Sequence, residues 1–322
     1  MIMNTYVTRG EEVAYMPRPS QMSGIPEKDV NAGPPDRDRK AGNSAVTILA
    51  VIGVSGGCGT SSFALQLGRY FRDIHGDICV VDADFSGGGI DILAGYEEAE
   101  GLRWHDVHTP LGHIDSRGFV QEMIEAEGMF LLPCHPWGDG KQRDSVQEAE
   151  AKATRQSEKS WWEIKAVFEA LGQNFDLLVV DCGRQVSPSL VQAWSQLEPR
   201  VEIIPIIMGT LSLCSLARIR SEVDRWKTLP SPLNNCVTAV SPLVISSQIY
   251  QHRKAHLIHT ASSQSVDEIE AERFVGAPIV GQYYFDSKIS LFSARGFGIA
   301  PASKRNSLLY QNVSDRVEAG KL

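Results

Sequence analysis

Val46 to Val54 reads VTILAVIGV, a β-branched apolar run without polar alternation, and such a run predicts a strand buried on both faces of a parallel sheet. A glycine-rich stretch, Ser55 to Ser62, follows at once. Apolar residues then recur at helical spacing from Phe63 to Phe71, predicting a helix over about Ser61 to Ile74. The pattern repeats downstream. Asp77–Asp82 is a second apolar strand that ends in an acid, Gly128–Cys134 is a third, and Phe175–Asp181 is a fourth that again ends in an acid. Before the fourth, Trp161, Ile164, Lys165, Phe168 and Leu171 give a helix closed by Gly172. Further strands are predicted at Val201–Met208, Asn235–Val240 and Pro278–Phe285, with helices between them. This alternation predicts an α/β fold, a doubly wound and mainly parallel sheet in one domain.

Two stretches break the pattern. Residues 1–44 hold Pro17, Pro19, Pro26, Pro34 and Pro35 and the charge run Asp36–Lys40 with no sustained periodicity, which predicts a disordered tail and leaves 45–322 as the domain. From His135 to Ser160 a Trp-Gly-Asp-Gly segment precedes a polar run rich in Glu, Ala, Lys and Gln. That composition predicts an exposed insertion at about 138–160.

Composition narrows the function classes. A 322-residue chain with 43% hydrophobic residues can bury a large core, and a net charge of −8 argues against non-specific binding of DNA or RNA by the whole chain. Six cysteines (Cys58, Cys79, Cys134, Cys182, Cys214 and Cys236) are scattered without a C-x-x-C pair, the usage expected of reduced thiols in a cytoplasmic protein. The amino terminus lacks a signal pattern, and no apolar run approaches the ~20 residues of a membrane helix. The expectation is a soluble or peripheral protein.

The candidate chemistry sits where the first strand meets its helix. A glycine-rich turn into a helix aims successive backbone N–H groups and the positive helix end at one place, so an anion such as phosphate is the natural occupant. Gly56, Gly57, Cys58, Gly59, Thr60, Ser61 and Ser62 form that cradle. Asp82, Asp84 and Asp91 lie around a second glycine-rich loop at the next strand end, and Asp181 ends the fourth strand, where an acid can hold Mg²⁺ beside the phosphates. Gly53, Gly56 and Gly59 also form G-x-x-G-x-x-G, with Asp82 where a ribose-binding acid would lie, so an NAD(P)-dependent oxidoreductase is an alternative. It accounts for Asp82 and leaves Asp84, Asp91 and Asp181 unexplained.

Taken together, SGGCGTS at Ser55–Ser61, VVDADFSGGGID at Val80–Asp91 and LLVVD at Leu177–Asp181 resemble the deviant-Walker P-loop ATPases that include ParA and MinD. Phe285–Gly296 is similar to the segment of that family in which a strand leads into a turn and helix beside the nucleotide base. The Gly-Thr-Ser loop and Leu102–Val107 resemble the CpaE/TadZ-like branch, nearest its actinobacterial septum site-determining and secretion-neighbourhood members. The resemblance covers roughly Val46 to Ala300. It implies ATP and Mg²⁺ as cofactors, a nucleotide-dependent homodimer, and protein partners in a pilus, secretion or division assembly. It further implies that Ser61, Asp82 and Asp181 serve the metal, that Asp84 orients the attacking water, and that Asp91 is a switch contact.

The departures from the family pattern carry equal weight. Ser55 and Thr60 stand where the family has its two loop lysines. A charge-assisted phosphate contact contributes about 1.5–3 kcal/mol, so ATP binding weakens and transition-state stabilisation suffers further. ATP binding with weak or absent hydrolysis is the expected activity, and a pseudo-ATPase scaffold without nucleotide response is the second alternative. His105, His108 and His113, and likewise His252, His256 and His259, come without Cys or acid ligands at zinc-like spacing and read as solvated polar faces. The stripe from Leu308 to Val317 lacks the basic face of a membrane-binding helix.

Overall fold

The computed structural model describes residues 45–85, 87, 89–109, 112–134, 159–198, 200–229, 243–249, 267–285 and 287–319. All of them fall within one compact unit, 39–322. The expected tail, the insertion, the strand at Asn235–Val240, Cys236 and the histidines at 252, 256 and 259 lie outside the described residues.

β1 (Val46–Gly53) leads into α1 (Thr60–His75), β2 (Cys79–Asp82) and the short α2 (Ile90–Ala94). After a 3-10 turn at Trp104–Asp106 come α3 (Ser116–Gln121), the hairpin β3 (Ile124–Ala126) and β4 (Met129–Leu132), α4 (Trp161–Gly172) and β5 (Leu177–Asp181). The chain continues through α5 (Pro188–Trp194), β6 (Val201–Gly209), α6 (Leu213–Lys227), β7 (Leu243–Ile249), α7 (Glu268–Val275), β8 (Ile279–Phe285), α8 (Ser287–Ala294) and α9 (Lys304–Ala319). These strands form one eight-stranded sheet in the order β3-β4-β2-β5-β1-β6-β7-β8. All pairs are parallel except β3 with β4. The doubly wound, mainly parallel architecture expected from the pattern is therefore present.

β1 shows why the apolar run had no alternation. Ile48, Ala50 and Ile52 enter the core on one face with α4, α5, α6 and α7, while Leu49 and Val51 enter the core on the other with α1, α8 and α9. Both faces are covered, so Ile48 to Ile52 is apolar throughout. The carboxy-terminal stripe belongs to this second core: Leu309, Tyr310, Val313 and Val317 are buried against α1 and β8. A buried polar knot fixes that contact, with the Tyr310 hydroxyl donating to Gln66 Oε1 at 2.6 Å and Gln66 Nε2 donating to the Ala300 carbonyl at 2.8 Å. Cys58, Cys79, Cys134 and Cys182 are buried free thiols, and Cys214 is an exposed one. No helix among the described residues is long and apolar enough to cross a membrane.

Candidate functional site

β1, β2 and β5 deliver their carboxyl ends to one place, the end of a doubly wound sheet where ligands bind. The loop leaving β1 is anchored on both neighbouring strands: Gly53 N donates to the Gly183 carbonyl at 2.7 Å and Val54 N to the Met208 carbonyl at 2.9 Å. Gly57 (φ 76°) and Gly59 (φ 86°) take left-handed conformations that turn the chain into α1, and no side chain caps the helix start. Its first N–H groups therefore have no intrahelical acceptor. Thr60 does not face the loop mouth. Its Oγ1 lies 3.1 Å from the buried Cys58 Sγ, and a Cβ on Gly53 would sit 2.3 Å from that hydroxyl. Glycine at 53 thus leaves the room that the Thr60 hydroxyl and the Cys58 thiol occupy.

Asp82 and Asp181 end adjacent strands and are paired in register, both almost completely buried. Asp82 Oδ2 accepts from Gly89 N (2.7 Å), Ile90 N (3.2 Å) and Cys134 N (3.3 Å), and Oδ1 accepts from Asp84 N (3.1 Å). Asp181 Oδ1 accepts from Gly183 N at 3.0 Å, and the Ser61 side chain hydrogen-bonds the same carboxyl. Burial, first, raises the pKa of both acids; the charge of Asp181 raises Asp82 further, and that of Asp84 raises Asp181. Two buried carboxyls paired in register disfavour being charged together. Asp84 folds over its own loop, accepting from Gly87 N at 3.0 Å, and lies against Gly183. Ser61, Asp82, Asp84 and Asp181 together line a cavity of about 210 Å³ beside the glycine loop. A second cavity, lined by Val46, Glu169, Arg200 and Val201, opens at the opposite ends of β1 and β6, away from these acids.

Asp91 does not join this set. Its Oδ2 accepts from Arg103 Nε at 2.9 Å in a buried ion pair, and the rest of the guanidinium donates to the carbonyls of Tyr96, Glu97, Ala99 and Gly101. The pair fastens the chain after α2. Trp104 braces the acids themselves: its Nε1 donates to the Asp82 carbonyl at 2.6 Å and its ring packs edge-on against Phe85. Neither role was visible in the sequence. Arg103 and Trp104 lie in a segment whose only sequence signal was its likeness to a family branch.

The donor set fits the expected groups. Ser61 and Asp181 offer oxygen ligands of the kind Mg²⁺ takes, and the loop offers backbone donors to an anion. The fit to NAD(P) is poor. In the dinucleotide fold the first strand pairs with the second, whereas here β5 lies between β1 and β2. Asp82 also gives its oxygens to four backbone N–H groups in place of a ribose.

No family profile matches the chain. Among solved structures, a ParA family ATPase from Chlorobium tepidum aligns over 84% of this chain and 98% of its own, with a TM-score of 0.59 at 15% identity. The fold is that of the ParA and MinD ATPases. MinD from Pyrococcus horikoshii in complex with Mg-ADP aligns over 85% of this chain and 98% of its own (TM-score 0.54, 14% identity). A McdA variant from Cyanothece in complex with ATP aligns over 86% and 98% (TM-score 0.57, 14% identity). A curated but uncharacterized protein, present in two strains of Mycobacterium tuberculosis, is 43% identical over 85 residues, 26% of this chain. That match spans 23% of the relative's length.

Proposed function

We propose that the protein is a ParA/MinD-type regulator or localisation factor that binds ATP with Mg²⁺ and hydrolyses it weakly or not at all. The observation that carries this reading is the Ser61 side chain hydrogen-bonded to the buried Asp181, beside a glycine loop whose helix start has no side-chain cap. In this reading Ser61 and Asp181 hold Mg²⁺, directly or through water, and Gly56 to Ser62 hold the phosphates. Asp82 works one layer out, clamping the start of α2 and the Cys134 backbone so that the acids keep their places. Asp84 is the residue positioned to orient water, once it leaves its contact with Gly87. Mg²⁺ supplies charge neutralisation at the phosphates when bound.

Weak turnover follows from Thr60, whose hydroxyl is turned toward Gly53 and Cys58 and offers no positive charge to a phosphoryl group gathering negative charge. In this reading the protein belongs to an actinobacterial, CpaE-like branch and forms a homodimer serving pilus, secretion or septum-site assembly through protein partners in the cytoplasm; the short likeness to a mycobacterial protein bears on the actinobacterial part alone. The loss of both lysines also favours a second reading, a scaffold that has lost nucleotide response. Thermal denaturation separates the two. A melting temperature raised by ATP with Mg²⁺, and much less by ATP with EDTA, supports the regulator, because a ligand of the native state stabilises it. No rise with ATP under either condition supports the scaffold.

A further inference from the structure

The loop lacks lysines, yet it does not lack positive charge nearby. Arg184 stands three residues beyond Asp181, and the left-handed turn at Gly183 (φ 60°) brings its side chain over the loop. Its Cδ and Nη1 each lie 4.0 Å from the place a Cβ on Gly56 would occupy. Arg218, on α6, reaches the residue just before the loop, with Nη1 donating to the Val54 carbonyl at 3.4 Å. The two guanidinium groups therefore bracket Ser55, the first position at which the family's lysine is missing. Both side chains are exposed, and among the described residues no acceptor engages Arg184.

The electrostatics of the cavity call for such a group. Asp82, Asp84 and Asp181 meet within it, so a polyphosphate entering beside them faces carboxylates that a single divalent cation does not offset. An arginine adds a permanent charge and a planar fork of donors that matches two phosphate oxygens at once, a stronger and more directional contact than a neutral hydroxyl makes. The Thr60 hydroxyl, the other polar group at the lysine positions besides Ser55, is engaged with Cys58 Sγ at 3.1 Å.

We propose that Arg184, with Arg218 beside it, is the cation that binds the terminal phosphates of a nucleoside triphosphate, in place of the lysines absent at 55 and 60. The proposal rests on the nucleotide-binding reading above. It moves the phosphate cation from the loop to the end of β5, on the same turn as the metal-side acid Asp181, so metal and phosphate are sensed by one segment.

The test is a calorimetric titration of MgATP into the full-length native protein and into Arg184→Gln, Arg184→Lys and Arg184→Gln with Arg218→Gln. The expected result is a loss of about tenfold or more in affinity for Arg184→Gln, a further loss in the double variant, and an intermediate loss in Arg184→Lys, which keeps the charge without the fork. The salt dependence of binding should also flatten in Arg184→Gln, which a merely structural role would not produce. Melting temperatures without nucleotide should match the native value, because both side chains are exposed. Native binding with equal affinity in Arg184→Gln overturns this assignment and leaves the nucleotide reading standing. Absence of MgATP binding by the native protein overturns both.

Discussion

On one side of the cavity Asp82 and Asp181 sit at the ends of adjacent central strands, buried, in register and held by backbone donors, with Trp104 bracing the chain behind them. On the other side the glycine loop keeps its turn and its helix, while the side chains that would carry charge are Ser55 and Thr60, and Thr60 is turned back onto Cys58. The difference is informative because the two sides have different costs. Buried acids held close together cost a fold stability on their own, whereas a small polar residue at a loop surface costs it little. The costly half of the cavity is the one whose side chains suit a cation, and the proposed Mg²⁺–nucleotide role would account for that cost.

The largest expected effect comes from the supporting pair. Arg103→Ala leaves Asp91 buried without its partner and releases four carbonyls, and should cost about 3–5 kcal/mol in urea denaturation. A cost under about 1 kcal/mol would show that the segment after α2 is not fastened by this pair. Gly183→Ala ranks next. Its backbone is left-handed at φ 60°, and a Cβ would lie 2.3 Å from Asp84 Oδ2, so a loss of about 1–3 kcal/mol is expected. Because the turn also aims Arg184, MgATP binding should fall with it.

Asp181→Asn sharpens the comparison through pH. In the folded protein the pKa of Asp181 is pushed up to about 6, chiefly by burial. The unfolded chain, with an ordinary carboxyl pKa of about 3.9, gives up its proton first. The contribution of Asp181 to stability without divalent cations is therefore fully present below pH 4 and is lost as pH rises through about 6, and Asp82, raised in the same direction, adds to that trend. The asparagine variant lacks the Asp181 part of that fall. Its melting temperature should equal the native one at pH 4 and exceed it at pH 8, by stability on the order of 1–3 kcal/mol, although its Mg²⁺-dependent ATP affinity drops. An equal pH profile in the two proteins would remove Asp181 from the account of the buried acids. The smallest effect on stability is expected for Thr60→Lys, within about 0.5 kcal/mol, and this variant should tighten MgATP binding. A variant that folds normally and binds ATP no better would contradict the explanation of weak turnover.

Much of this was legible in the sequence. The strand, glycine loop and helix at Val46–His75 and the acids at the ends of β2 and β5 follow from apolar runs and turn residues, signals that are local. What escaped depends on partners distant in the chain. The β3 strand is three residues long, and its turn places Glu127 at φ 54°, where Arg69 holds its carboxylate and Arg72 its carbonyl. β7 was missed because Leu243, Val244 and Ile245 give way to Ser246, Ser247 and Gln248, which broke the apolar run. Asp91 looked like a member of the acid cluster until Arg103 was seen beside it. Arg184 carried no motif at all, and only the turn at Gly183 sets it against the loop.

The central claim is that the buried acids serve a Mg²⁺–nucleotide pair. Calorimetric titration of ATP, with Mg²⁺ and with EDTA, into the native protein and Asp181→Ala tests it most directly. The account predicts native binding that strengthens at least tenfold with Mg²⁺ and a variant, folded as the native protein, in which Mg²⁺ no longer adds affinity. Equal ATP affinity in the two proteins under both conditions would contradict it.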